Sequence, residues 1–250
     1  MSDKGGSKSR REVIREKRRQ QQRRQRLTVI LAIVGIALLV TALLIAPSIQ
    51  NALTPVGEIQ TITPVERPMV DGRAMGDPNA PVNIEVFEDF QCPSCKTYSE
   101  DVEPLVVDNY VAPGDVYYVY RHFPFLDDQA AGSESNQAAN ASMCAADQER
   151  FWDYHDILFA NWNGENQGAF IDKRLVAFAE ALSLDMDAFN SCFESNAFRD
   201  EIQEDFNDGR SRGVTGTPAV FVNGVQITPG FIPSFDDISE AVEAELASGG

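Results

Sequence analysis

Histidine occurs twice and cysteine four times in 250 residues. His122 and His155 each sit among aromatics, form no Cys–His hydrolase motif, and read as packing residues. Cys144 and Cys192 are far apart in the chain, so the second close pair of a four-cysteine zinc site is missing and no metal is expected. Basic side chains are scarce beyond residue 26. Residues 1–26 hold 11 of the 21 Lys and Arg and three of the 38 Asp and Glu, a net of +8. The remainder holds 10 basic and 35 acidic side chains, a net of −25. Such a surface disfavours nucleic acid and anionic lipid. No internal repeat is present.

Residues 27–46 lack charge altogether, and Pro47 follows. Twenty apolar residues match the bilayer core at the helical rise. A cleaved signal peptide has a shorter apolar region and a small-residue cleavage site, and fits less well. No cysteine follows the run, which argues against a lipoprotein. A core helix at this place would lack neighbours to bury it. The run is therefore expected to be an uncleaved signal anchor. The basic segment 1–26 should stay cytoplasmic, with residues 48–250 outside. Four cysteines in an outward domain suit an oxidising compartment. Residues 47–74, mixing Pro, Thr, Gln and Gly, read as a linker, and a folded domain is expected over 75–250.

The most informative residues are Cys92, Pro93, Ser94 and Cys95. They follow an apolar run, residues 81–90, and open a helix-compatible stretch. Two sulfurs three residues apart at a helix start are close enough to join. The free N–H groups and partial positive charge of that helix end favour a thiolate on Cys92. Pro93 suits the first turn, where its missing N–H costs little. The pair reads as a redox dithiol, with a structural disulfide or half a zinc site as the bland alternatives.

The pattern predicts a strand at 82–90 and a helix from Cys92 to about Tyr110, with Tyr98, Val102, Leu105 and Val106 as its apolar stripe. Pro104 should kink that helix. A strand follows at 116–120, completing a βαβ unit. Residues 133–195 are helical in pattern, and Phe151, Trp152, Tyr154 and Phe159 read as core. Phe198, Ile202 and Phe206 mark a further helix. Asn223-Gly224 between two short apolar runs signals a hairpin. Ser234 and Asp237 resemble a capping box before a final helix. The Asn140-Ala-Ser142 glycosylation pattern reads as incidental.

This order is that of an α/β thioredoxin fold, with a helical insertion at about 133–195 between its βαβ and ββα halves, preceded by one transmembrane helix. Four segments carry a closer resemblance: Gly76-Asp-Pro-Asn-Ala-Pro-Val, Phe87-Glu-Asp-Phe-Gln-Cys-Pro-Ser-Cys, Tyr120-Arg-His-Phe-Pro, and Gly213-Val-Thr-Gly-Thr-Pro-Ala-Val-Phe-Val-Asn-Gly. Over residues 69–250 the chain resembles the DsbA-like thiol:disulfide oxidoreductases of the thioredoxin superfamily. The resemblance implies Cys92 as nucleophile and Cys95 as resolving partner. Pro93, Ser94, Thr217 and Pro218 would support them. It also implies a cis bond before Pro218, with the Thr217 backbone facing the Cys92 sulfur and pairing with an extended substrate. The family often has His or Tyr where Ser94 stands, and some members have a buried acid where Val86 stands. Glu85, Glu88 and Asp89 are the nearby replacements. A structural bridge is expected between Cys144 and Cys192; two free buried thiols or a second redox relay are the alternatives.

The implied function is an extracytoplasmic enzyme that exchanges its Cys92–Cys95 disulfide with cysteine pairs of exported proteins, as an oxidant. Reoxidation would come from a membrane partner of the DsbB or vitamin K epoxide reductase type, with no tightly held cofactor. A reductase or isomerase on the same fold is the second reading. A non-catalytic thioredoxin-fold binding or chaperone module is the third.

Overall fold

The computed structural model describes residues 55–129 and 133–249, together with positions 19, 23, 24, 26–28, 30, 31, 33–36 and 38–41. The chain divides into two units, 1–55 and 56–250. In the first, the described positions from 19 to 41 are helical, and large apolar side chains such as Leu31, Leu38 and Leu39 are exposed. Among the described residues no helix is long and apolar enough to cross a membrane. Parts of the expected anchor 27–46, including 42–46, lie outside the described residues.

The second unit is built on one sheet. Its strands are β1 (Ala74–Met75), β2 (Val82–Glu88), β3 (Val116–His122), β4 (Ala219–Val222) and β5 (Val225–Gln226), in the order β1-β3-β2-β4-β5. β2 and β3 run parallel, from Val82 opposite Val116 to Glu88 opposite His122. β4 is antiparallel to β2, and β5 to β4. Val82, Ile84 and Val86 alternate inward, as a pleated strand with one apolar face requires. At its end both Phe87 and Glu88 are buried, because both faces are covered there. Asn223 and Gly224 take φ of 44° and 81°, the left-handed pair that a tight hairpin needs.

Cys92 caps α1 (Pro93–Asp101), and α2 (Glu103–Val106) runs on into a wider π turn (Val107–Val111). One kinked helix to Tyr110 was the expectation; the chain instead breaks at Val102. Pro104 has no N–H to continue the ladder, and Leu105 N–H bonds back to Val102 O at 3.0 Å, one residue short of the α spacing. The break turns the expected stripe. Leu105 is 43% exposed, whereas Glu103 is only 1% exposed.

Four helices, α3 (Glu134–Ala146), α4 (Phe151–Ala160), α5 (Asp172–Ala181) and α6 (Met186–Ser195), form the insertion. Cys144 on α3 and Cys192 on α6 are joined by a disulfide. Asn140 is fully buried, with its amide bonded to Phe193 O and Phe198 N, so its glycosylation pattern has no acceptor exposed. α7 (Arg199–Ser211) leads back to β4, and α8 (Phe235–Ser248) opens on the reciprocal Ser234–Asp237 capping box. Aromatic residues Phe151, Trp152, Tyr154 and Phe159 are core.

Part of the expected linker 47–74 is bound to the domain. Arg174 donates to Val56 O at 2.8 Å, and Gln60 exchanges two hydrogen bonds with Asn161, at 2.9 and 2.8 Å. From Val56 onward the segment is a strap along α4 and α5. Its polar composition resembles a free tether, but its backbone groups are satisfied by side chains of the insertion.

Candidate active site

The turn before α1 is fastened to the insertion through Gln91. Its amide donates to Ser135 Oγ at 2.8 Å, its side-chain oxygen accepts from Asn166 N–H at 2.6 Å, and its carbonyl accepts from Trp162 Nε1 at 2.7 Å. Nothing in the motif signalled Gln91; its side-chain partners come from 36 to 75 residues away. Cys92 and Cys95 are free thiols, both buried, while Pro93 is exposed and Ser94 half-buried. β4 brings Thr217 and Pro218 against them. The peptide between these two is cis, and Thr217 O lies 3.3 Å from Cys92 Sγ. The Thr217 hydroxyl oxygen is buried and has no hydrogen-bond partner among the described residues.

The two thiols are electrostatically unlike. The Cys92 thiol is lowered from 9.0 to about 6, chiefly by a hydrogen bond from Cys95. Burial opposes this, and the Cys95 and Ser94 N–H groups add to it. Cys95 is pushed well above 9.0 by burial, and by the neighbouring Cys92. Cys92 is therefore a ready thiolate and Cys95 a neutral donor.

Of the three acids left open by the sequence, Glu88 is the one beneath the dithiol. Burial raises its carboxyl well above 4.5, and Glu103 and Cys92 add to the rise. Asp89 faces the other way, accepting from Ser135 Oγ, Gln91 N–H and Leu126 N–H; burial still lifts it to about 7. Glu85 pairs with Arg121 and Arg212, away from the thiols.

Two groups lie beside Glu88 that sequence reasoning did not find, Glu103 and His155, and Arg67 stands behind them. One ligand atom each of Glu88, Glu103 and His155 lie within 4.8 Å of one another, all buried. Arg67, from the strap, reaches Glu103 at 3.1 Å and Asp156 at 2.8 Å. His155 Nδ1 is 2.9 Å from Asp156 Oδ1. His155 packs among aromatics, edge-on to Phe159 and Tyr120, as expected of a core residue. His122 is a packing residue; burial holds its ring neutral.

A protein-family model described as thioredoxin matches residues 69–244. The probable disulfide bond formation protein D of Bacillus anthracis is 26% identical over 176 residues, covering 70% of this chain and 78% of that protein. The Na(+)/H(+) antiporter NhaA 1 of Salinispora arenicola is 34% identical over 149 residues, which is 60% of this chain and 21% of the antiporter. In fold, oxidised BdbD from Bacillus subtilis superposes with a TM-score of 0.62 at 23% identity, over 76% of this chain and all of BdbD. The family match spans the sheet, the paired thiols and the Thr217–Pro218 turn: the chain belongs to the thioredoxin family and is a thiol:disulfide oxidoreductase.

Proposed function

We propose that the enzyme works outside the cell membrane as an oxidant, introducing disulfides into exported proteins with exposed cysteine pairs. The single observation carrying this direction is the unequal pair of thiols. A stabilised Cys92 thiolate makes Cys92 a good leaving group and the joined form a better oxidant. The name of the B. anthracis relative, a disulfide bond formation protein, supports the same direction.

In the oxidised enzyme a substrate thiolate attacks Cys92 Sγ and breaks the Cys92–Cys95 bond. Cys95 leaves with the electron pair and takes a proton from the neutral carboxyl of Glu88. The substrate's second thiolate then attacks its own first sulfur and expels Cys92 as thiolate. The substrate has lost two electrons and the enzyme pair has gained them. Thr217, at the edge of the cleft beside exposed Thr215 and Gly216, offers its backbone to an extended substrate by strand addition. A membrane partner of the DsbB or vitamin K epoxide reductase type would take the two electrons. Residues 27–46 would hold the domain at the membrane.

Equilibration of the Cys92–Cys95 pair with glutathione tests the direction. An oxidant should come to equilibrium far above the roughly −270 mV of a thioredoxin-type reductant. A value at that reductant level would overturn the oxidant reading and favour a reductase.

A further inference from the structure

We propose that Glu88, Glu103 and His155 form a binding site for one divalent transition-metal ion of the zinc class, beneath the Cys92–Cys95 pair. The four-cysteine centre excluded on sequence is a different donor set; this one draws on no cysteine.

The cluster is short of hydrogen-bond donors. Among the described residues, both oxygens of Glu88, Glu103 Oε2 and His155 Nε2 are buried without a hydrogen-bond partner. All three side chains belong to residues at most 1% exposed, so bulk water does not supply the partners. A buried polar atom left in this way is costly and calls for an explanation. Arg67 does not answer these atoms. Its guanidinium goes to Glu103 Oε1 and to Asp156, which leaves Glu103 Oε2 beside His155 Nε2 at 3.8 Å.

The spacing suits the ligands of one ion. Zinc binds imidazole nitrogen at about 2.0–2.1 Å and carboxylate oxygen at about 2.0–2.2 Å. An ion between Glu103 Oε2 and His155 Nε2 therefore reaches both across their 3.8 Å without moving either. An oxygen of Glu88 lies within 4.8 Å of both and completes a set of three. Open zinc sites take three ligands from the protein and leave the fourth place to water.

The neighbours supply an outer shell. His155 Nδ1 is 2.9 Å from Asp156 Oδ1. A ring that ligates through Nε2 donates its Nδ1–H to such a carboxylate, which fixes its orientation and strengthens its donor nitrogen. The charges also close. The carboxylates of Glu88, Glu103 and Asp156 balance the Arg67 guanidinium and a doubly charged ion, as a buried ion requires. Entry is from a cleft of about 470 Å³ that Glu103 and Asp156 line. Glu66 and Asp108 make its walls acidic, and Lys96 there is paired with Glu100. A nitrogen donor in a small ligand set selects against calcium and magnesium, which prefer oxygen alone. While it holds an ion Glu88 has no proton to give Cys95, so loading and the exchange step proposed above exclude one another at this carboxyl. The site itself stands on the cluster's geometry and not on that reaction.

Zinc binding to the metal-stripped, oxidised full chain tests the site. In that form Cys92 and Cys95 are joined, as Cys144 and Cys192 are, so no thiolate competes. Equilibrium dialysis against micromolar zinc, with millimolar magnesium to cover exposed carboxylates, should leave one zinc per chain. Replacing the magnesium by calcium should not change this. X-ray absorption at the zinc edge should show one imidazole among oxygen donors. E88Q and H155Q should each weaken binding by more than the roughly 10–100-fold that loss of an outer-shell partner costs. H155Q should also remove the imidazole signature, which separates His155 from His122, the other histidine of the chain. Absence of stoichiometric zinc on the parent chain, a zinc shell without imidazole, or zinc held as tightly by either variant would each overturn the site. The absorption measurement on the parent chain decides even where a variant fails to fold. None of these outcomes alters the glutathione equilibrium, which decides the exchange reading separately.

Discussion

At neutral pH the two sulfurs of one motif sit in opposite protonation states. Cys92, at about 6, should be roughly nine-tenths thiolate at pH 7, whereas Cys95 stays a thiol. Iodoacetamide should therefore label Cys92 in the reduced protein with a pH midpoint near 6; a midpoint at the ordinary thiol value would remove the activated nucleophile. The same shift predicts a stability change. A thiol whose pKa falls from 9.0 unfolded to about 6 folded stabilises the reduced fold fully above 9.0, and the contribution disappears as pH falls through about 6. The disulfide form has no such thiol. On acidification from about pH 8 to 6, reduced protein should lose urea resistance relative to oxidised protein. Cys92, Cys95, Thr217 and Pro218 were legible because their chemistry lies in short segments. Glu88 was one of three equal choices, since alternation alone does not say which acid sits under a helix start. Glu103, His155 and Arg67 were hidden because they meet from three separate segments.

The strands and the hairpin were readable from period-two alternation and Asn223-Gly224, both local signals. The break at Val102 was only half readable. Pro104 announced an interruption, but whether the helix bends or re-registers depends on what the second segment packs against. Here re-registration sends Glu103 inward, and the strap answers with Arg67. Its guanidinium also stacks over Trp152, 5.0 Å from the ring centre. The pair is deeply buried, with side-chain exposures of 9% and 1%. Removing one member of such a pair strands a charge, at a cost of about 3–5 kcal/mol. Arg67→Met should thus lower unfolding free energy by about that amount, and R67M combined with E103Q should recover much of it. Urea denaturation measures both; a double variant as unstable as R67M would show that the strap acts through packing alone.

The molecule as a whole separates two tasks between its cysteines. Cys144 and Cys192 close a loop of 48 residues inside the insertion, a constraint on the order of 3 kcal/mol, and leave the Cys92–Cys95 pair free to cycle. The second separation is of charge. Eleven basic residues precede the uncharged run 27–46, while the rest of the chain is strongly acidic. Cytoplasmic Lys and Arg beside an apolar run orient the run with its far end outward, and a redox-active disulfide persists most easily in an oxidising compartment. These two arguments are independent, one from charge and one from sulfur chemistry, and together they are the basis for proposing that the dithiol faces outward. In cells freed of their wall, added protease should therefore digest the domain while a cytoplasmic marker survives. Alkaline carbonate should leave the intact chain in the membrane pellet and release a chain lacking residues 1–46. Survival of the domain under protease, or release of the intact chain by carbonate, would remove the anchor, and with it the reason to expect a membrane partner for reoxidation.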